Sequence, residues 1–302
     1  MLRGPIRQLH SLAPGFSLAA LFGSKPMSLT RPITFVAAVN NRQIFEENLF
    51  ASACLRAANK HQLLAQAGFA SASLAYNDAM DRASNEVMVF AHQDVFFPPL
   101  WLSQLEAALA YLGNTDPRWG VLGCWGVTQK GERRGHIYSS GWGELGRPLE
   151  HPAEVQTLDE IVLILRKSSG LRFDERLRHF HLYGTDICMA AGRQGLRCYA
   201  IPAFCIHNTE QLLTLPQEFY ECYRQIKRKW REHLPIHTSC IRISRFDLEL
   251  YTEKLGALYR QIGRRKRPRA HRVANPQRLL RELEANFKTV AGPPKEALDG
   301  PR

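Results

Sequence analysis

The chain has 302 residues and an apolar fraction of 45%, enough for one large domain with an appendage, and its apolar runs are too short for a membrane span. Its formal charge of +12 sits at the ends: residues 1–30 carry three Lys/Arg and no acid, and residues 256–302 carry twelve Lys/Arg against four Asp/Glu. A nearly neutral body argues against a nucleic-acid reader, and seven cysteines without a C-x-x-C argue against a zinc site or disulfide frame and for reduced core thiols in a cytosolic protein.

Residues 1–30 contain Arg and Ser but no acid, and the apolar stretch Phe16–Phe22 is short and followed by Lys25 and Pro26. A disordered extension, or a start nearer Met27, fits better than a targeting peptide. Residues 33–41 then read as a buried strand ending in Asn40 and Asn41, and 42–59 as a helix with Ile44, Ala51 and Leu55 on one face. A second strand is expected at 61–66, a short helix at 71–84 and a third strand at 86–92. Pro98 and Pro99 start a helix striped by Leu102, Leu105, Leu109 and Leu112. This alternation predicts an α/β domain with a mostly parallel sheet flanked by helices, whose ligands bind at the carboxyl ends of strands.

The pattern changes after residue 118. Residues 119–148 are rich in glycine and tryptophan and read as short strands around a mobile loop. Further expected elements are a strand at 160–167, a loop and helix at 173–195 with the helix starting near Thr185, and a last strand at 196–202. Helices follow at 216–234 and 246–263, then a basic linker at 264–272, a short helix at 276–289 and a disordered end. The expected organisation is an extension at 1–30, a main domain at 31–215, C-terminal helices packed on it at 216–263 and a basic, partly disordered tail at 264–302.

The third strand ends in "FAHQDV", placing His92, Gln93 and Asp94 where such a sheet keeps its site. With "SASLAYNDAMDRAS" before it, and "FDERLRHFHLYGTDICMAAGRQGLRCYAIP" and "CIHN" after it, this segment resembles the family-two-like nucleotide-sugar glycosyltransferases of the GT-A fold. The likeness is greatest to the group typified by a streptomycin-biosynthesis protein, and it covers roughly residues 31–240.

The resemblance implies an inverting enzyme that moves a sugar from a nucleoside-diphosphate sugar to an acceptor hydroxyl. A divalent cation, Mn²⁺ or Mg²⁺, would neutralise the departing diphosphate. Asp94 matches the last acid of the family's Asp-x-Asp, and His207 matches a histidine that completes the metal shell. His92 replaces the first acid, which puts the metal requirement in question. Asp186 matches the general base, although a place in the first turn of a helix would lower its pKa. Asn40, Asn41, Ser71, Ser73, Asn77 and His92 are the implied donor-binding residues. Asp159 matches an acceptor-side acid, and Trp142, Phe180, His181 and Tyr183 are candidate acceptor contacts because aromatic faces suit sugar rings. The acceptor is a glycan, a lipid-linked or a small molecule. The basic tail is expected to hold a cytoplasmic protein near an anionic membrane face. The competing reading is an inactive GT-A-like scaffold; a nucleotidyltransferase is disfavoured because "AVNNRQIF" has no glycine-rich phosphate loop.

Overall fold

A computed structural model describes residues 31–56, 60–210, 214–263 and 271–291. The expectations for 1–30, 264–270 and 292–302 lie outside the described residues. The strands are β1 (Ile33–Ala38), β2 (Gln62–Gln66), β3 (Val87–Ala91), β4 (Val95–Phe96), β5 (Val121–Gly123), β6 (Trp125–Val127), β7 (Arg133–Ser139) and β8 (Gly143–Gly146). After them come β9 (Ala153–Val155), β10 (Thr157–Leu158), β11 (Val162–Arg166), β12 (Cys198–Ala200), β13 (Cys205–His207), β14 (Ile236–His237) and β15 (Arg242–Ile243). The helices are α1 (Arg42–Glu47), α2 (Ala53–Arg56), α3 (Ala72–Arg82), α4 (Trp101–Thr115), α5 (Tyr183–Arg193), α6 (Gln217–Lys229), α7 (Leu248–Gly263) and α8 (Pro276–Ala291).

The main sheet has the order β2-β1-β3-β11-β5-β12-β9. The parallel pairs are β1–β2, β1–β3 and β12–β5, and β11 runs antiparallel to both β3 and β5. Strands β2, β1, β3, β5 and β12 therefore point one way, with β11 and β9 reversed. Alternate residues feed two cores, as the two-residue repeat of a strand requires. Val36, Met88, Phe90, Leu163 and Leu165 pack under α3, α5 and α6, while Phe35, Val89, Leu122, Val162 and Ile164 pack under α4. Each such side chain contributes about 1.5–3 kcal/mol on burial.

A second sheet, β10-β6-β7-β13-β4 with β8 on β7, accounts for the glycine-rich segment. The helix expected over 42–59 is broken. Asn48 is fully buried, its side chain donates to the Ile44 carbonyl at 2.8 Å, and α1 ends there. Helix α5 starts at Tyr183 rather than Thr185, behind Leu182 at φ 60°. Within the expected tail, the short helix expected at 276–289 is present as α8: its Leu279 and Leu280 pack with Ala51, Phe96, Phe204 and Ile206 of the second sheet and its surroundings. All seven cysteines are unpaired and six are buried, while Cys240 is exposed.

Asn77 shows how α3 is tied down. Its amide donates to the Phe173 carbonyl and Glu175 carboxylate, both at 2.9 Å, and accepts the Phe173 N–H at 3.1 Å. Asn77→Ala leaves the buried Phe173 groups without partners and is expected to cost about 2 kcal/mol in chemical denaturation.

Candidate functional site

The site lies where the chain passes from one sheet to the other. Strand β3 stops at Ala91 because the backbone turns: the His92 N–H donates to the Ile161 carbonyl at 3.1 Å, and the His92 carbonyl accepts the Val95 N–H at 3.1 Å. The chain enters β4, which pairs antiparallel with β13 through Val95 and His207. That pairing sets His207 beside Asp94. The potential ligand atoms of His92, Asp94 and His207 all lie within 4.8 Å of one another.

His207 Nε2 is 3.3 Å from Asp94 Oδ1, and the rings of His92 and His207 meet edge to face at 5.5 Å. His92 Nε2 hydrogen-bonds the Tyr183 hydroxyl at 2.9 Å, which fixes the ring. Burial, aided by the charge of His207, pushes the His92 pKa down to about 4. Burial alone would raise the Asp94 carboxyl; His207, His92 and Arg272 outweigh it and hold that carboxyl well below the usual carboxylate range. For His207, burial pulls the imidazole down, but the Asp94 charge and hydrogen bond prevail and its pKa is raised. The cluster thus combines a neutral imidazole, a carboxylate and a second imidazole polarised by it. Two imidazoles with a carboxylate suit Mn²⁺ better than Mg²⁺.

The sequence placed Gln93 at the strand end without a role, and Asn208 and Arg272 escaped it. Gln93 Oε1 accepts the N–H groups of Asn40 and Asn41 at 3.1 and 3.0 Å, locking the end of β1 to the turn. Asn208 is fully buried and acts as a hub. Its amide donates to Asn48 at 2.7 Å and to the Val273 carbonyl at 2.8 Å, and its oxygen accepts the Val273 N–H at 2.8 Å. That hub brings in Arg272, whose Nη2 lies 3.6 Å from Asp94 Oδ2. The "CIHN" segment points to His207, but nothing local marks Asn208 as a hub or ties it to residue 272.

The segment whose Ile161 carbonyl accepts the His92 N–H also carries Asp159 and Glu160. Asp159 Oδ1 accepts the Ile161 N–H at 3.1 Å, and its charge acts on both His92 and His207. Glu160 accepts the backbone N–H groups of Gly184 and Leu182; burial, reinforced by Asp159, raises its pKa well above the ordinary value. Gly184 permits this close approach, since a Cβ there would lie 2.9 Å from the Leu158 carbonyl and 3.1 Å from Glu160 Cγ. Tyr183 is buried, with its hydroxyl 3.4 Å from the Glu160 carbonyl.

Other expected residues are placed elsewhere or engaged in holding the fold. Asp186 is 3% exposed and spends both oxygens internally: Lys229 Nζ approaches at 2.8 Å and the Trp230 indole N–H donates at 2.7 Å. Lys229 also reaches Asp174 at 2.7 Å. Asp186 lines a cavity of about 260 Å³ with Asp174, Arg176 and Gln225, none of them in the histidine cluster. The structure thus sets Asp186, the expected general base, in a buried ion pair outside the histidine cluster. Asn77 is a structural clamp, and Ser71 caps α3 by accepting the Leu74 N–H at 3.3 Å. Ser73 is buried on α3. Asn41 caps α1, while Asn40 stays exposed beside Gln93. His181 packs on Phe219, and Trp142 and Phe180 are exposed at 56% and 42%.

Residues 34–229 match the model of the glycosyltransferase-like family. The chain belongs to that family. It is 27% identical over 166 residues to the ATP synthase subunits region ORF 6 protein of Fuscovulum blasticum, an alignment covering 53% of this chain and 66% of that relative's length. Among solved structures, TarS 1–349 of S. aureus aligns over 78% of this chain and 74% of its own, with 15% identity and a TM-score of 0.39. A mannosyltransferase from Pyrobaculum calidifontis, solved with GDP-Man and Mn²⁺, aligns over 89% and 85%, with 13% identity and a TM-score of 0.41. At these scores the structural likeness carries no argument of its own.

Proposed function

We propose that the chain transfers a glycosyl group from a nucleoside-diphosphate sugar to an acceptor hydroxyl by a single, inverting displacement on a GT-A-type domain. The observation that carries this is the His92–Asp94–His207 cluster at the carboxyl end of β3, in a chain of the glycosyltransferase-like family. Asp94, His207 and His92 would hold a divalent cation, and Tyr183 would keep the His92 ring oriented. A cation bound there supplies positive charge to the departing diphosphate. Asn40 and Asn41, held by Gln93, form the donor side.

The acceptor proton goes to the Asp159–Glu160 pair in this reading. Asp159 acts on both histidines of the cluster, and its neighbour Glu160 has a carboxyl whose raised pKa makes it the stronger base once deprotonated. Asp159→Asn and Glu160→Gln are each expected to lower nucleotide release from UDP- or GDP-sugars by about 100-fold or more while leaving nucleotide binding intact. Normal turnover by both variants would remove the pair from the mechanism. Loss of binding along with turnover would make it a structural support.

Arg272 favours a second reading. Its guanidinium, 3.6 Å from Asp94, places a fixed cation where a leaving diphosphate needs one. In that case His207 and Arg272 neutralise the diphosphate directly, and a chelator leaves nucleotide binding unchanged.

A further inference from the structure

Helix α7 buries only one face. Ala257 is 4% exposed, Leu250 packs on the core, and Lys254 lies 4.8 Å from the centre of the Tyr220 ring. The opposite face carries Leu248, Tyr251, Leu255, Leu258 and Tyr259, at i, i+3, i+7, i+10 and i+11, with Phe246 just ahead of the helix. These six are 54–78% exposed. A stripe of that size is unusual on a soluble surface and marks an interaction face. Beside it opens a cleft of about 990 Å³ lined by Arg224, Lys227, Arg228, Arg231, Arg242 and Arg245. Asp247 and Glu232 also line it: Lys227, Arg231 and Arg242 are paired with Asp247, Glu232 and Glu249, whereas Arg224, Arg228 and Arg245 have no ion pair among the described residues.

We propose that the apolar face of α7 and the adjoining arginine cleft form one docking surface for an anionic lipid bilayer. Six exposed apolar side chains, two of them tyrosines, bordered by unpaired arginines are what an interfacial helix presents to headgroups and acyl chains. The sequence continues the charge, since "RRKRPR" follows Gly263 directly. Each basic side chain near an anionic leaflet adds about 1 kcal/mol of attraction. A polyanion without a lipid phase would leave the apolar stripe in water. A second copy of the chain, packed symmetrically on the stripe, would bring two arginine clefts together and repel.

The test is co-sedimentation of the full chain with phosphatidylcholine vesicles, with and without phosphatidylglycerol. Truncation after Gly263 is unsuitable because it removes Arg272 and α8 from the second sheet. Two exposed-site variants serve instead, Tyr251→Ser/Leu255→Ser/Leu258→Ser and Arg224→Glu/Arg228→Glu/Arg245→Glu, each checked for an unchanged melting curve. Binding to phosphatidylglycerol vesicles is expected to weaken with salt and to fall about tenfold or more in both variants. Equal binding to neutral vesicles, or binding unchanged in either variant, overturns the proposal. So does light scattering that finds a dimer lost in the serine variant while vesicles are ignored.

Discussion

Replacing Asp94 with alanine is expected to weaken cation-dependent binding of a nucleoside-diphosphate sugar by about 100-fold or more. The size follows from the chemistry of the cluster. Asp94 is its one carboxylate, and His207 and Arg272 both face it. Its removal takes away the negative ligand and leaves the Arg272 guanidinium unopposed beside the site. Some fold stability is lost for the same reason, so binding is best separated from folding by melting the protein with and without Mn²⁺. A ligand that binds only the folded state raises Tm, by the equivalent of about 2.7 kcal/mol at a hundred times its Kd. The wild-type chain should show such a rise and Asp94→Ala should show none. An equal rise in both would place the cation elsewhere.

The second large effect is on stability. Asp186→Ala is expected to cost about 3 kcal/mol, at the lower end for a broken buried ion pair, because Asp174 still holds Lys229. The side chains of Asp186 and Lys229 are only 4% and 24% exposed, so water cannot replace the lost partner fully. The Trp230 indole also loses its acceptor. Tm should fall by roughly 6–12 °C. Asp186→Leu combined with Lys229→Met should recover much of the loss, since no unpaired charge remains. A catalytic Asp186 predicts the reverse pattern, with an unchanged melting curve and abolished transfer in Asp186→Asn.

The legible parts of the fold were those written in local periodicity. Strands at 33–41 and 86–92, the helix capped by Ser71 and the placing of His92-Gln93-Asp94 at a strand end all follow from alternation, capping and the logic of such sheets. Strand direction was not legible: "EIVLILRK" has the same apolar run whether it lies parallel or antiparallel, and only the return of the chain from the second sheet reverses β11. Asn48 looked like an ordinary helical residue until Asn208, 160 positions later, gave its side chain a buried partner. The surroundings of Asp186 were hidden for a related reason. An acid in the first turn of a helix after a polar loop has the same local signature whether it meets a substrate or a lysine. Its partners Lys229 and Trp230 arrive on α6 and its end. Arg272 was hidden by its setting in a basic segment that composition assigned to solvent, although the Asn208 hub draws it to Asp94.

One titration bears on the cation site before any other. The full chain and Asp94→Ala would be titrated calorimetrically with UDP, GDP and their sugar conjugates, in Mn²⁺, in Mg²⁺ and in chelator. One nucleotide series is expected to bind the wild-type chain in Mn²⁺, with the binding removed by chelator and by Asp94→Ala. Binding that persists in chelator and in the variant would contradict the cation site at "HQD" and favour Arg272 as the diphosphate partner. No binding under any condition would contradict the transferase reading as a whole and leave a glycosyltransferase-like scaffold.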